Sequence, residues 1–445
     1  MFSSQLSESS EFRQAQDLAH IVNIVVSGGG AAGICFAGSF KRIEGVRGFS
    51  FSHIRRAAGS SIGSVAALAI CLGLNPERMF TKLATLDFKK FLDRSSKSKI
   101  IYNFFKHRAV SEGREITQEL LQFLKEETDR INNDLKQPLD LPAPERLTFR
   151  DLKKLGCKDL FIVTTECFMR GNEGGSEQKI WCHLTTPDAP VAAVILASMA
   201  VPVLFPGVTF KQDEDKIFSV IPNSTHDPFA MLNFDGGITN NCLLKLFDYR
   251  CYLNDGEIER HEDDKESMKF LAEIADFEKP DFGFDPDLRV KNPHTLAFAL
   301  YPSSDIPKTP IIGYNPLAIG QAIINGFLLS RLNELLRDNH ERIIVVNSPI
   351  AMTDFDANEE LQQQAILAGA RAVSRYLGLT DAINEEEYKL PRKYPTNPAP
   401  HPAHSVPALS AAECFLMWGS VTFTENPPSP ATPPAEKARR PALHK

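Results

Sequence analysis

The chain of 445 residues has no apolar stretch that reads as a membrane-spanning helix. Two long uncharged stretches come nearest. Residues 191–210 are broken by Pro202 and Pro206, and residues 309–330 hold Pro310, Gly313, Asn315, Pro316, Gln321 and Asn325. Both are therefore expected to line a core or a pocket. Residues 1–20 are polar and acidic, with no apolar segment behind a basic start, so no ordinary secretory signal is expected there. No C-x-x-C pair occurs among the eight cysteines, which include Cys35, Cys71, Cys157, Cys167 and Cys182 and are scattered, several of them inside apolar runs. That pattern suits buried thiols better than a disulfide framework or a zinc site and predicts a reducing compartment. There is no excess of basic residues: the net charge of −7 argues against a general nucleic-acid binder. No internal repeat is found. What remains, with 43% hydrophobic and 24% charged residues, is a globular chain long enough for one large domain or two ordinary ones.

The most informative segment is Gly59-Ser60-Ser61-Ile62-Gly63, a G-x-S-x-G. Apolar or small residues precede it (Ile54, Ala57, Ala58), and a long apolar run, residues 65–74, follows. The context is strand, sharp turn, helix. A serine on such a turn stands at the positive end of a helix and is a candidate nucleophile for acyl transfer. Gly59 and Gly63 flank it because side chains there would collide with the neighbouring strand or helix. A Gly/Ser-rich helix start with no chemistry is the plainer reading of the pentapeptide alone.

A second segment, Ser27-Gly28-Gly29-Gly30-Ala31-Ala32-Gly33, follows the strand-like residues 21–26 and opens the helix-like residues 34–43. Consecutive glycines leave backbone N–H groups bare, and at a helix start these form an anion site, for a phosphate or for the oxyanion of a tetrahedral intermediate. Gly28, Gly30 and Gly33 also satisfy G-x-G-x-x-G, so a dinucleotide-binding oxidoreductase is an alternative. That fold wants a carboxylate about 20 residues on. The stretch reads Arg47-Gly48-Phe49-Ser50-Phe51-Ser52-His53, with no acid.

A third segment is Asn233-Phe234-Asp235-Gly236-Gly237 behind Met231-Leu232. It reads as a strand end turning sharply, with Asp235 either bonded to its own backbone or presented to the serine as a general base. A Ser–His–Asp triad would instead need one of His261, His294 or His340. His261 lies in an acidic stretch, His340 in a charged helix-like segment, and too few strands precede the elbow for an α/β-hydrolase.

In this order the three segments resemble the patatin-like phospholipase family. Ala197-Ser198-Met199-Ala200-Val201-Pro202-Val203-Leu204-Phe205-Pro206 and Thr148-Phe149-Arg150-Asp151-Leu152 are further echoes, and the resemblance covers roughly residues 21–380. It implies a three-layer α/β/α fold with a mainly parallel central sheet and the nucleophile elbow between strand and helix. It implies Ser61 as nucleophile, Asp235 as its partner, and Gly28, Gly29, Gly30 and Gly33 as the oxyanion loop, with Gly236 and Gly237 in the turn after Asp235. No metal or cofactor is called for. The implied substrate is a phospholipid or related acyl lipid, met by peripheral membrane contact. The chain departs from the family at Ser27, where many members have Asp, and at Ala32, where many have a basic residue.

The expected organisation is a polar segment at residues 1–20, a catalytic domain at residues 21–385 and a proline-rich tail at residues 386–445. Twelve of the 30 prolines lie in residues 391–445, a density that suggests disorder. An acidic insert at residues 255–287 reads as a surface excursion or lid. Basic and aromatic residues interleave over residues 97–108, which is either a membrane-facing segment or an ordinary amphipathic helix. A cytoplasmic or membrane-associated protein is expected. Bacterial effectors resembling this family often require a host factor, so a partner-activated effector, delivered by specialised secretion, is the alternative from another class.

Overall fold

The computed structural model describes residues 17–92, 109–170, 173–213, 218–221, 230–249, 252–253, 291–303 and 316–391. The basic aromatic segment, the acidic insert and nearly all of the proline-rich tail lie outside them. Nine strands form one mixed sheet. They are β1 (Asn23–Val26), β2 (Arg56–Ser60), β3 (Asp159–Arg170), β4 (Glu173–Trp181), β5 (Val208–Gln212), β6 (Phe218–Ile221), β7 (Ala230–Asp235), β8 (Thr295–Pro302) and β9 (Ile343–Ser348). The order is β6-β5-β7-β3-β2-β1-β8-β9, with β4 also paired to β3. From β9 to β3 the strands are parallel, and from β3 outward through β4, β7, β5 and β6 they are antiparallel.

The parallel strands are covered on both faces, and β1 and β2 at their centre are short and wholly buried. Their alternation divides the core in two. Ile24, Val26, Ala57, Ile162, Leu296 and Phe298 enter one apolar cluster, whereas Val25, Ala58, Phe161, Val163, Ala297 and Ala299 enter the other. The first cluster takes the helices α1 (Cys35–Ile43), α2 (Ile62–Cys71), α3 (Pro76–Ala84), α4 (Arg114–Asn133), α5 (Phe149–Lys154), α6 (Val191–Met199) and α8 (Glu359–Leu377). The second takes residues 242–249, Tyr252 and the C-terminal half of α7 (Pro316–Asn339), through Leu332, Leu335 and Leu336. This is the three-layer α/β/α arrangement.

Local chemistry sets the helix limits. Asn75 caps α3, accepting from the Arg78 N–H with Pro76 in the first turn. Thr148 and Asp151 form a capping box on α5. Asn358 caps α8, and Gly378 ends it in the left-handed conformation. Helices α2 and α6 are apolar all round and wholly buried, so they lie between the sheet and the outer helices. No helix among the described residues is long and apolar enough to cross a membrane. The residue stretch 191–210 resolves into α6, a loop and β5, in accord with its reading as core.

Candidate active site

Strand β3 has three neighbours, and that branch makes the site. Strand β2 runs parallel to the first half of β3 and ends with Ser60 opposite Val163. Strand β7 runs antiparallel to the second half, on the same side, and ends with Asp235 opposite Thr164. The two strands approach head-on along one edge of β3 and stop at adjacent register positions. Whatever leaves their ends must meet.

Ser61 leaves β2 with φ 52° and ψ −130°, and α2 begins at the next residue. A non-glycine residue at positive φ stores roughly 1–3 kcal/mol, which the surroundings must offset. Several bonds do so. The Ser61 N–H donates to Ser198 Oγ (2.9 Å), and the Ser61 carbonyl accepts from the Ser64 N–H (2.8 Å) and hydroxyl (2.5 Å). Gly63 allows the close approach: a Cβ there would lie 2.4 Å from the Val26 carbonyl oxygen. Gly59, in β2, faces Gly63 across the same turn.

Asp235 is fixed on every side. Its N–H donates to the Ala200 carbonyl (3.0 Å), and its own carbonyl accepts from the Thr165 hydroxyl (2.8 Å). Oδ1 accepts from the Gly237 N–H (2.7 Å), and Oδ2 accepts from the Ser61 hydroxyl (2.6 Å). Gly236 lets the chain turn over β3, since a Cβ there would lie 2.2 Å from the Val163 carbonyl oxygen. Both groups are buried. Burial pushes the Asp235 carboxyl from its ordinary value of 3.8 up to about 7, against the opposing pull of the bonds from Ser61 and Gly237.

The glycine loop lies against the elbow. A Cβ on Gly28 would sit 2.9 Å from the Ser61 Cβ and 2.4 Å from Asn241 Oδ1. Ser27 ties the loop down: its hydroxyl donates to the Gly28 carbonyl (3.0 Å) and accepts from the Leu300 N–H (2.9 Å). The Gly28 N–H is already engaged, donating to the Asn241 carbonyl (3.2 Å). Ala31 and Ala32 donate to the Met352 and Gly29 carbonyls. The N–H groups of Gly29 and Gly30 have no acceptor among the described residues. Gly33 packs against Ile62. All four loop glycines are closely packed, a Cβ on Gly30 lying 2.0 Å from the Met352 carbonyl oxygen, and of the four Gly29 and Gly30 carry the open donors.

Neither described candidate histidine joins the group. His294 precedes β8, whose first residue pairs with the first residue of β1, at the opposite end of the sheet from Ser61. Its Nδ1 lies 3.0 Å from the His20 carbonyl oxygen. His340 precedes β9 at that same far end, and His261 lies outside the described residues. Among the described residues no group of three or more His, Cys, Asp and Glu side chains is placed to hold a metal ion.

Two supporting residues were not singled out from the sequence. Ser198, the one hydroxyl residue in apolar α6, holds the Ser61 N–H, two residues before the carbonyl that holds Asp235. A buried hydroxyl in an apolar helix must find a partner, and that is the signal it offers. Asn241 ties the segment after Asp235 to the glycine loop through the Gly28 N–H, and its side-chain amide reaches the Gly28 carbonyl at 3.5 Å. The Asn240-Asn241 pair just beyond the Asp-Gly-Gly turn was its only mark in the sequence.

The model of the patatin-like phospholipase family matches residues 24–248, about half the chain, with all three motifs inside the match. The chain belongs to the patatin-like phospholipase family. Membership sets aside the dinucleotide reading of the glycine loop. Among solved structures, VipD from Legionella pneumophila is 16% identical, with 81% of this chain and 67% of that chain covered and a TM-score of 0.42. Full-length ExoU in complex with SpcU, from the type III secretion system of Pseudomonas aeruginosa, is 17% identical, with 80% and 53% covered and a TM-score of 0.39. Human GIVD cytosolic phospholipase A2 is 12% identical, with 53% and 43% covered and a TM-score of 0.20. The chain spans about half the length of the ExoU chain it matches. No curated protein matches it.

Proposed function

We propose that this chain is a lipid acyl hydrolase of the phospholipase A or lysophospholipase type, working through a Ser61–Asp235 dyad. The observation that carries the reading is the 2.6 Å hydrogen bond from the Ser61 hydroxyl to Asp235 Oδ2 at the meeting point of two strand ends. An aspartate that accepts directly from the hydroxyl, in a buried site, acts as its base without a histidine between them. A carboxyl at about 7 has a proton affinity suited to taking and returning a proton near neutral pH.

In the first half-reaction Ser61 Oγ attacks the ester carbonyl carbon as its proton passes to Asp235. The oxyanion is received by the Gly29 and Gly30 N–H groups, a kind of contact worth roughly 3–4 kcal/mol per donor in dissected enzymes. The tetrahedral carbon collapses, the bond to the alcohol breaks, and Asp235 returns the proton to the leaving oxygen. In the second half, Asp235 takes a proton from water, which attacks the acyl-serine carbonyl carbon; the new tetrahedral carbon collapses, its bond to Ser61 Oγ breaks, Asp235 returns the proton to that oxygen, and the fatty acid leaves. The neutral residues Ser27 and Ala32 leave this division of labour intact, because backbone donors need neither side chain. The substrate is a phospholipid or related acyl lipid, taken from a membrane surface.

A long-chain alkyl fluorophosphonate, whose phosphorus mimics the tetrahedral carbon, tests the nucleophile. One adduct per chain is expected, mapped by mass spectrometry to the peptide holding Ser61. An adduct on another residue with Ser61 unmodified overturns the assignment, as does a hydrolytically active protein that takes no label.

A further inference from the structure

Cys71 and Cys157 are distant in sequence and neighbours in the fold. Cys71 is the last residue of α2, and Cys157 stands two residues before β3. Gly156, at φ 75°, turns the chain out of α5, and the Cys157 N–H bonds back to the Leu152 carbonyl (3.0 Å). The next N–H, that of Lys158, donates to the Cys71 carbonyl (3.1 Å), and the Cys71 thiol donates to the Lys158 carbonyl (2.9 Å). This two-way clasp makes the two thiols hydrogen-bonding neighbours. The backbone bond by itself limits the two Cα atoms to about 8 Å, and a disulfide spans roughly 4.4–6.8 Å, so closure asks for little backbone movement.

The two thiols are chemically unequal. The hydrogen bond from Cys71 holds the Cys157 thiol below its ordinary value, against the opposing effect of burial and with help from the Arg130 guanidinium of α4. The same bond and burial raise Cys71. Burial also raises Cys167 and Cys182 and pushes Cys35 up to about 12, so those thiols stay protonated. Cys157 is 7% exposed and Cys71 1%, so a small oxidant meets Cys157 first.

We propose that Cys71 and Cys157 form a peroxide-sensitive dithiol whose disulfide clamps α2 to β3. The Cys157 thiolate attacks one oxygen of hydrogen peroxide and the O–O bond breaks. Cys157 becomes a sulfenic acid, and the departing hydroxide takes the proton that Cys157 had shed, leaving as water. The Cys71 sulfur then attacks the Cys157 sulfur, the S–O bond breaks, and the second hydroxide takes the Cys71 proton. Two thiols are oxidised, and one peroxide is reduced to two waters. The disulfide closes a loop of about 85 residues, which restricts the unfolded chain. Ser61 stands at the other end of α2, roughly 15 Å along its axis, so the clamp acts on stability without entering the dyad.

The test treats the full chain with a few equivalents of hydrogen peroxide, then alkylates and digests it without reductant. Mass spectrometry should find one disulfide, joining the Cys71 and Cys157 peptides. In Cys71→Ala, dimedone should instead trap a sulfenic acid on Cys157, about tenfold or more above wild type, because nothing resolves it. Cys157→Ala should give neither product. The oxidised wild type should melt about 5 °C or more above the reduced protein, and dithiothreitol should reverse the rise. A chain that stays reduced, a disulfide between other cysteines, or equal dimedone labelling of Cys157 with and without Cys71 overturns the proposal. A Cys71–Cys157 disulfide that leaves the melting temperature unchanged or lowers it overturns the clamp. The wild-type arms need no substitution, so they decide even where a variant fails to fold.

Discussion

Replacing Ser61 by alanine is expected to lower lipid-ester hydrolysis by about 10⁴-fold or more, with the fold retained. The loss is that large because the hydroxyl has no substitute. The neighbouring Ser60 is buried, and Ser64 donates its hydroxyl to the Ser61 carbonyl. The backbone at position 61 adds a second, separable expectation. An alanine there would inherit φ 52° and its strain, whereas a glycine would not. Ser61→Gly should therefore be as inactive as Ser61→Ala but more stable by about 1 kcal/mol. Fatty-acid release and urea denaturation of the two variants check both halves. Equal stability of the two would mean that the elbow holds no strain, and residual hydrolysis within tenfold of wild type would remove Ser61 from the chemistry.

Asp235→Asn is expected to lose activity by roughly 10³-fold or more while gaining stability at neutral and alkaline pH. The sign follows from burial. The carboxyl titrates near 3.9 in the unfolded chain and at about 7 in the folded one. The folded state therefore holds the proton more tightly. Stability associated with this group is full below pH 4, falls as pH rises from about 4 to 7, and is level above that. The deficit is of order 4 kcal/mol once the carboxyl is ionised. An asparagine carries no such penalty. The stability difference between the variant and wild type should grow across pH 4 to 7 and then flatten, as read from denaturation curves at a series of pH values. A difference independent of pH would contradict the raised carboxyl.

Much of this site was legible in three short stretches of sequence. The glycine loop after a strand, the serine between Gly59 and Gly63, and the aspartate before Gly236 and Gly237 each have a local backbone reason to exist, and such reasons are written in neighbouring residues. The parallel centre of the sheet was legible for the same cause: residues 21–75 alternate strand and helix with apolar runs of the right length. What escaped was non-local. That β2 and β7 end against consecutive residues of β3 depends on a twelve-residue strand that changes partners midway, and no periodicity in β3 announces that change. Strands β5 and β6 are short and belong to the antiparallel flank, so the start of Val208–Gln212 reads in sequence as the end of an apolar stretch. The engaged Gly28 N–H was hidden because its acceptor, Asn241, lies 213 residues away. Ser198 reads in sequence as one more small residue of a helix, but its bond to Ser61 spans 137 residues.

The pH dependence of kcat/KM for fatty-acid release is the most direct measurement of whether Asp235 serves Ser61 as its base. Activity should rise tenfold per pH unit below a single ionisation near 7 and reach a plateau above it, and that ionisation should be absent from whatever activity Asp235→Asn retains. A profile that is flat from pH 5 to pH 9, or the same ionisation persisting in Asp235→Asn, would contradict the account.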